Sequence, residues 1–402
     1  MMRAAAQPVL PGAVIGLMGG GQLGRMTALA ARALGYRVHV LDPDPDCAAR
    51  GVCDRFVQGP FDDPQAASEL ARGAQVVTCE REDIGIASLC ALERSTLLRP
   101  GRHVLEVVQD RGAQKDWLAK HGFAVGPYRV LAGFDDLSIA LRELGGAPRL
   151  KSRRGGFDGR SQWSTAGCSA GRSASELWAQ LEGVPLIAEQ DLDLASELSV
   201  MVARGPSGAM TCFPIAHNFH QGGVLETSVI PGAFDDALSA AATTLAQGIA
   251  TQLDVVGVLA VEMFLTTRGE LLVNELAPRP HNTFHATELA CATSQFEQLV
   301  RAICGLPLGE TAAHRPTAIG NLFGDLWLEG KVERLIALLG VPGLHVRLYG
   351  KAPRARRKLG HVACTAHTPE AALQGVRAAL QELDAQSQDA PQNPIQAAGN
   401  RP

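Results

Sequence analysis

Glu262 and Glu275 stand in two apolar runs, VLAVEMFL at 258–265 and ELLVNEL at 270–276, separated by the polar turn Thr266-Thr267-Arg268-Gly269. The pattern reads as a β-hairpin with Gly269 available for a positive φ. A turn centred near Arg268 sets the two glutamates opposite one another on neighbouring strands. Burying an unpaired charge costs several kcal/mol, so two facing carboxylates need a cation between them. Hard oxygen ligands, with Asn274 adjacent, suit Mg²⁺, which takes one or two carboxylates together with phosphate oxygens of a substrate. A hairpin whose acids point to solvent or pair with arginines is the alternative, and this stretch alone leaves both open.

Upstream, Lys151 ends the strand APRLK, and Gly155-Gly156-Phe157-Asp158-Gly159-Arg160-Ser161-Gln162 is a glycine-rich, basic loop. It lacks the GxxxxGK[ST] spacing of a P-loop. Such a loop between strands can close over triphosphate oxygens and exclude water; an ordinary turn with surface arginines is the bland reading. The strand LIAEQ (186–190) exposes backbone groups beside Glu189 that could read an adenine edge and a ribose, and Glu197 precedes the strand SVMVA. His217 and His220 have no third histidine or cysteine nearby, which favours a nucleotide or substrate contact over a metal. Arg279, His281, Asn282 and His285 follow the hairpin. Between Lys351 and His361 lie six basic side chains, Arg354, Arg356, Arg357 and Lys358 among them. A run like this is usually a solvated surface; in a chain of net charge −4 it also fits a pocket for a phosphate ester.

The elements that must position these groups begin with VIGLM (14–18), a buried strand entering Gly19-Gly20-Gly21-Gln22-Leu23-Gly24 and then a helix. With the strand at 37–41 and Asp42 behind it, this is a βαβ unit carrying G-x-G-x-x-G, the pattern of a dinucleotide site. The weaker inference is a docking place for some phosphate-bearing molecule, because such turns serve several ligands. QVVTC (75–79) is a further strand, and ligands of open α/β sheets gather at C-terminal strand ends. That makes Glu80 and Glu82 candidates for a small polar substrate. The first domain ends near Gln109-Asp110-Arg111, and a helix at 112–121 puts Arg111 and Lys115 four residues apart on one face.

The 402 residues suffice for two or three buried cores, and 46% hydrophobic with 19% charged residues is ordinary for a globular enzyme. The net charge offers no general attraction for nucleic acid or an anionic membrane. No apolar run approaches the roughly 20 residues of a membrane span. The N-terminus has no apolar core of a signal peptide. The nine cysteines form no CxxC pair, which fits reduced thiols in a cytoplasmic protein. From about Ala385 the sequence is rich in Gln, Ala and Pro and reads as a disordered tail.

Taken together, GGGQLGRM (19–26), HVLDPDPD (39–46), DR (110–111), RRGGFDGR (153–160), HNFHQGG (217–223), VGVLAVEMF (256–264), NELAPRPHN (274–282), ATSQFEQ (292–298) and YGK…RKLGH (349–361) closely resemble the N5-carboxyaminoimidazole ribonucleotide synthases, a family of ATP-grasp enzymes. The resemblance implies an α/β and α+β chain: a doubly wound pre-grasp domain at 12–111, an ATP-grasp domain at 112–310, and a small β-rich domain at 311–384 before the 385–402 tail. It implies a homodimer that joins 5-aminoimidazole ribonucleotide to bicarbonate at the expense of ATP, by way of carboxyphosphate. By position, Arg111, Lys151, the loop Gly156 to Gln162, Glu189, Gln190, Asp191, Leu192, Glu197 and His220 would contact ATP. Glu262 and Glu275 would hold Mg²⁺, with Asn274 beside the phosphates. Gln22, Glu80 or Glu82, Lys351 and Arg357 would meet the ribonucleotide, and Arg279 the bicarbonate or γ-phosphate. The chain departs from the family pattern at Arg81 and Asp83, at Ser161 for a glycine, at Thr283-Phe284-His285-Ala286 for Ser-Gly-His-Trp, and at Arg356 for a glycine. Phe284 is expected to crowd the site. Rival readings are another ATP-grasp ligase, such as a formate-dependent glycinamide ribonucleotide transformylase or a biotin carboxylase-like enzyme, and an NAD(P)-linked oxidoreductase using Asp42.

Overall fold

Strand chemistry divides the chain among three sheets. The computed structural model describes residues 7–145, 147–155, 161–166, 172–181 and 183–384. Gly156, Phe157, Asp158, Gly159 and Arg160 of the glycine-rich loop, Cys168 and the 385–402 segment lie outside the described residues.

The first sheet has five parallel strands in the order Arg55–Gln58, Arg37–Asp42, Val14–Met18, Val76–Cys79, Leu97–Leu98. Val14–Met18 is buried along its whole length, as a parallel strand covered on both faces must be. The chain leaves Val14–Met18 toward one edge and returns at Val76–Cys79 toward the other. The crevice of this switch point therefore opens where both strands end, at Gly19–Gly24 and Glu80.

A four-stranded antiparallel sheet runs Tyr128–Leu131, Leu186–Glu189, Arg149–Ser152, Gln162–Ser164. A nine-stranded sheet runs Leu271–Ala277, Gly257–Thr266, Leu194–Arg204, Ala216–Gln221, Val224–Ile230, Thr317–Phe323, Lys358–Thr365, Leu344–Leu348, with Met210–Cys212 beside Leu194–Arg204. The C-terminal strands extend the central sheet through the pairing of Val224–Ile230 with Thr317–Phe323. The helix Pro369–Asp384 covers them with Ala372, Val376 and Ala379.

The hairpin forms as expected, with Gly269 at φ 81°. Near the turn, Leu265 faces Leu271 and Met263 faces Val273, a register that would set Glu262 against Asn274. A one-residue irregularity intervenes, and Glu262 pairs with Glu275. The bulge lets the consecutive residues Asn274 and Glu275 both face the cavity, while Val273 and Leu276 stay in the core. Bulges re-aim side chains in this way beside active sites.

Candidate functional site

Between the three sheets lies a cavity of about 690 Å³. Its walls bring together Gln22, Glu80, Glu82, Arg111, Lys151, Gln162, Glu189 to Leu192, Glu197, His220, Glu262, Asn274, Glu275, Arg279 and Lys351. Two of the described candidates stand apart. Ser161 accepts from the Ser152 amide through its backbone carbonyl at 3.0 Å and does not line the wall. Arg357 donates to the Ala352 carbonyl at 3.1 Å and does not reach the wall either.

At one end, Asp110 caps the helix Arg111–Lys120 and pairs with Arg153 at 2.9 Å. That anchors Arg111, which donates to the carbonyls of Ser152 and Gly155 and lies 3.8 Å from Glu275. One turn on, buried Lys115 lies 3.6 Å from Glu189, and Lys151, from the neighbouring strand, lies 2.6 Å from the same carboxylate. Burial pushes the Glu189 carboxyl up, but Lys151 and Lys115 outweigh it and hold it at about 2. Leu192, Leu194, Leu225 and Phe264 give this end an apolar wall. The arrangement suits a flat base against the leucines and an anionic tail against the cations.

In the middle, Glu262 pairs with His281 Nε2 at 2.8 Å. Burial opposes its charged form, but His281, His220 and Lys151 together hold the carboxyl at about 2. Glu197 pairs with His220 Nδ1 at 3.0 Å; burial lowers that ring, and Glu197 more than restores it. Among the described residues no three or more His, Cys, Asp or Glu side chains converge as a metal-binding group. What is present is a pair of carboxylates with an amide oxygen donor, a set that fits Mg²⁺ sharing its shell with phosphate oxygens and water.

At the far end the glycine turn is filled from within. Gly21 and Gly24 donate their amides to Glu80, and Gly20 donates to Asp42 at 2.7 Å. Gly19 sits at φ 108°, and a Cβ there would lie 2.3 Å from the Glu80 side chain. The amides that would hold a pyrophosphate are thus satisfied by the chain's own carboxylates, which removes the physical basis for a dinucleotide site. Buried Glu82 pairs at 2.7 Å with Arg279, which is partly buried. Burial pushes Glu80 up despite its two amides, and it pushes Glu82 up despite Arg279. Gln22 accepts from Lys351 at 2.6 Å and donates to Asn282 at 3.0 Å.

The basic run splits. Lys351 and the buried Lys358 turn inward, whereas Arg354 and Arg356 are solvated. His361 is buried, hydrogen-bonded to Tyr349 at 2.8 Å. Phe284 does not crowd the cavity: it is wholly buried in an apolar cluster with Phe213, Ala286 and Ala290. Among residues missed as candidates, Lys115 shares the face of Arg111, and His281 and Asn282 lie two and three residues beyond Arg279. Lys358 becomes visible only once its strand is known.

Models of known families match the chain in three consecutive blocks. These are the ribonucleotide synthetase preATP-grasp domain (residues 13–109), the ATP-grasp domain (116–296) and the phosphoribosylaminoimidazole carboxylase C-terminal domain (317–375). The N5-carboxyaminoimidazole ribonucleotide synthase of Brucella melitensis biotype 1 is 41% identical over 353 residues, 88% of this chain and 96% of its own length. That of Bacillus subtilis strain 168 is 40% identical over 358 residues, 89% of this chain and 92% of its own. A crystal structure of the ADP complex of an N5-carboxyaminoimidazole ribonucleotide synthetase superposes with a TM-score of 0.87 at 38% identity, covering 93% of this chain and 98% of that one. The Aspergillus clavatus synthase in complex with ADP and 5-aminoimidazole ribonucleotide gives 0.84 at 28% identity, covering 92% and 98%.

Proposed function

This chain belongs to the family of N5-carboxyaminoimidazole ribonucleotide synthases, and we propose that it joins bicarbonate to the exocyclic amine of 5-aminoimidazole ribonucleotide with conversion of ATP to ADP and phosphate. It is an ATP-grasp carbon–nitrogen ligase of purine biosynthesis. One observation supports this reading most: a single cavity has a cation-rich end and a Gln22–Lys351 end, with the Glu262–Glu275 pair between them.

Bicarbonate is a poor electrophile. One of its oxygens attacks the γ-phosphorus, the bond to the ADP oxygen breaks, and carboxyphosphate forms. The amine nitrogen then bonds to that carbon, directly or as released CO₂; the carbon–oxygen bond to phosphate breaks, and nitrogen loses a proton. Lys151, Lys115 and Arg111 supply fixed positive charge where the transferred phosphoryl group spreads its negative charge. Glu262, Glu275 and Asn274 would hold Mg²⁺, which when bound neutralises phosphate oxygens. Arg279, oriented by Glu82, faces the middle of the cavity and suits bicarbonate or the γ-phosphate. Gln22, Lys351 and Lys358 hold the phosphate-bearing ribonucleotide beside the activated carbon, so the second step gains from proximity. The homodimer and the cytoplasmic setting belong to the same reading; no helix among the described residues is long and apolar enough to cross a membrane.

The test is ADP release by the purified protein with Mg²⁺ and ATP. Release should require both bicarbonate and 5-aminoimidazole ribonucleotide. Release with formate and glycinamide ribonucleotide, and none with aminoimidazole ribonucleotide, would overturn the proposal.

A further inference from the structure

Behind the cavity wall runs an unbroken chain of side-chain amides and one imidazole, and its polarity can be worked out. Gln295, on the helix Gln295–Cys304, is fully buried and accepts from the His281 backbone N–H at 2.8 Å through Oε1. A backbone amide can only donate, so the Gln295 carboxamide has one orientation. Its Nε2 therefore donates to the His281 carbonyl at 3.0 Å and to His285 Nδ1 at 3.1 Å.

Burial pushes His285 well below the ordinary histidine range, with His361, Lys358 and His281 adding to the effect, so the ring is neutral. With Nδ1 accepting, its single proton is on Nε2, which donates to Asn282 Oδ1 at 3.0 Å. That oxygen also accepts from Gln22 Nε2 at 3.0 Å. Gln22 is thereby turned with its carbonyl toward Lys351, whose ammonium donates to it at 2.6 Å. Reversing one link alone sets donor against donor or acceptor against acceptor at its neighbours, and if the neighbours down to Gln22 turn with it, an N–H faces the Lys351 ammonium, where two donors cannot bond.

We propose that Gln295 is a positioning residue for the aminoimidazole ribonucleotide. Through the Nε2–H tautomer of His285 and the amide of Asn282, it orients Gln22 so that Lys351 is held at the substrate end of the cavity. The proposal rests on the assignment of Gln22 and Lys351 to that substrate. Gln295 itself does not line the cavity, so it acts only through this chain. The same residue grips both backbone groups of His281, whose ring pairs with Glu262, so one buried amide references the substrate end and the hairpin carboxylates to a common point.

Gln295→Glu is the discriminating variant, because the new carboxylate still accepts from the His281 amide but cannot donate. His285 should then move its proton to Nδ1, and Asn282 and Gln22 should turn over. In ¹⁵N-histidine-labelled protein, with His285 assigned by a His285→Gln difference spectrum, the wild type should show the Nε2–H form and the variant the Nδ1–H form. The KM for aminoimidazole ribonucleotide should rise about tenfold or more, while the KM for ATP stays within about twofold, the scale of one lost charge-assisted hydrogen bond. Adding Asn282→Asp, which can only accept, should restore the orientation of Gln22 and recover most of the lost affinity.

An unchanged tautomer in the variant overturns the inference. So does a switched tautomer with both KM values unmoved, or an equal rise in both. The tautomer readout needs no substrate, so it stays informative even if the wild type shows no response to aminoimidazole ribonucleotide, a result that would instead overturn the functional proposal.

Discussion

At the cation-rich end of the cavity, Glu189 lies within 2.6 Å of Lys151 and 3.6 Å of Lys115, and its carboxyl is held at about 2. At the opposite end, beside Gln22 and Lys351, Glu80 has the amides of Gly21 and Gly24 for partners, and burial raises it. Both groups are deep, so desolvation penalises both charges. The difference is the partners: two lysines on adjacent elements overcome that penalty at Glu189, whereas two peptide dipoles at Glu80, and the single Arg279 at Glu82, reduce it without overcoming it. The first end keeps its charges, which on the proposed reading receive the polyphosphate of ATP. The second keeps carboxyls of raised proton affinity, which on the proposed reading lie beside the aminoimidazole. Glu262, with His281 against it, belongs electrostatically to the first end although it lies between the two.

The largest expected effect falls on the carboxylate pair. Glu275→Gln should lower kcat for ADP formation by about 10²–10³-fold, the scale for losing one electrostatic contact to a transition state, with an unchanged circular dichroism spectrum. Near-normal turnover would remove the pair from the chemistry.

Next is a crossed pair of variants. Lys151→Met should raise the KM for ATP about tenfold or more and cost about 3 kcal/mol of stability, because Glu189 is left buried with the more distant Lys115. Lys351→Met should raise the KM for aminoimidazole ribonucleotide about tenfold while leaving that for ATP within about twofold. If each variant moves both constants equally, the division into two ends is wrong.

The pH dependence sharpens the contrast. Glu189 is lowered from an ordinary 4.5 to about 2, so its contribution to stability is complete above pH 4.5 and is lost as pH falls toward 2. Glu189→Gln should therefore flatten the fall in Tm across that window. A raised group such as Glu80 contributes in the opposite sense, fully below its ordinary value and less as pH rises. An acid limb as steep in the Glu189→Gln variant as in the wild type would contradict the assignment.

The smallest effect is at Arg356, which holds φ 57° with its amide donating to Asp325 at 2.7 Å. Arg356→Gly should relieve about 1 kcal/mol of left-handed backbone strain and leave both KM values unchanged, since the exposed side chain does not line the cavity. A loss of affinity for the ribonucleotide would place this side chain at the substrate end.

What could be read from sequence was whatever depended on local pattern. The alternating apolar runs of 258–276 were enough to oppose Glu262 and Glu275, and the strand–glycine–helix pattern located the crevice of the first sheet. Non-local events were not legible. No local signal tells that Glu80 folds back to fill the glycine turn, because that depends on the pairing of Val76–Cys79 with Val14–Met18. The bulge at Asn274 leaves no mark in the alternation of the apolar runs. Phe284 reads as an intruder only until its neighbours are known: with alanine at 286, the bulky residue of this segment packs on Phe213 instead of entering the cavity. The basic run divides according to the strand beginning at Lys358, which turns Lys358 inward and leaves Arg354 and Arg356 in solvent.

The central claim is that ATP at one end activates bicarbonate for an amine held at the other, and isotope transfer tests it most directly. With ¹⁸O-labelled bicarbonate, ATP and aminoimidazole ribonucleotide, each turnover should place one ¹⁸O in the released phosphate, whether the amine attacks carboxyphosphate or the CO₂ derived from it. Phosphate free of label, with ADP and carboxylated product still formed, would contradict the account.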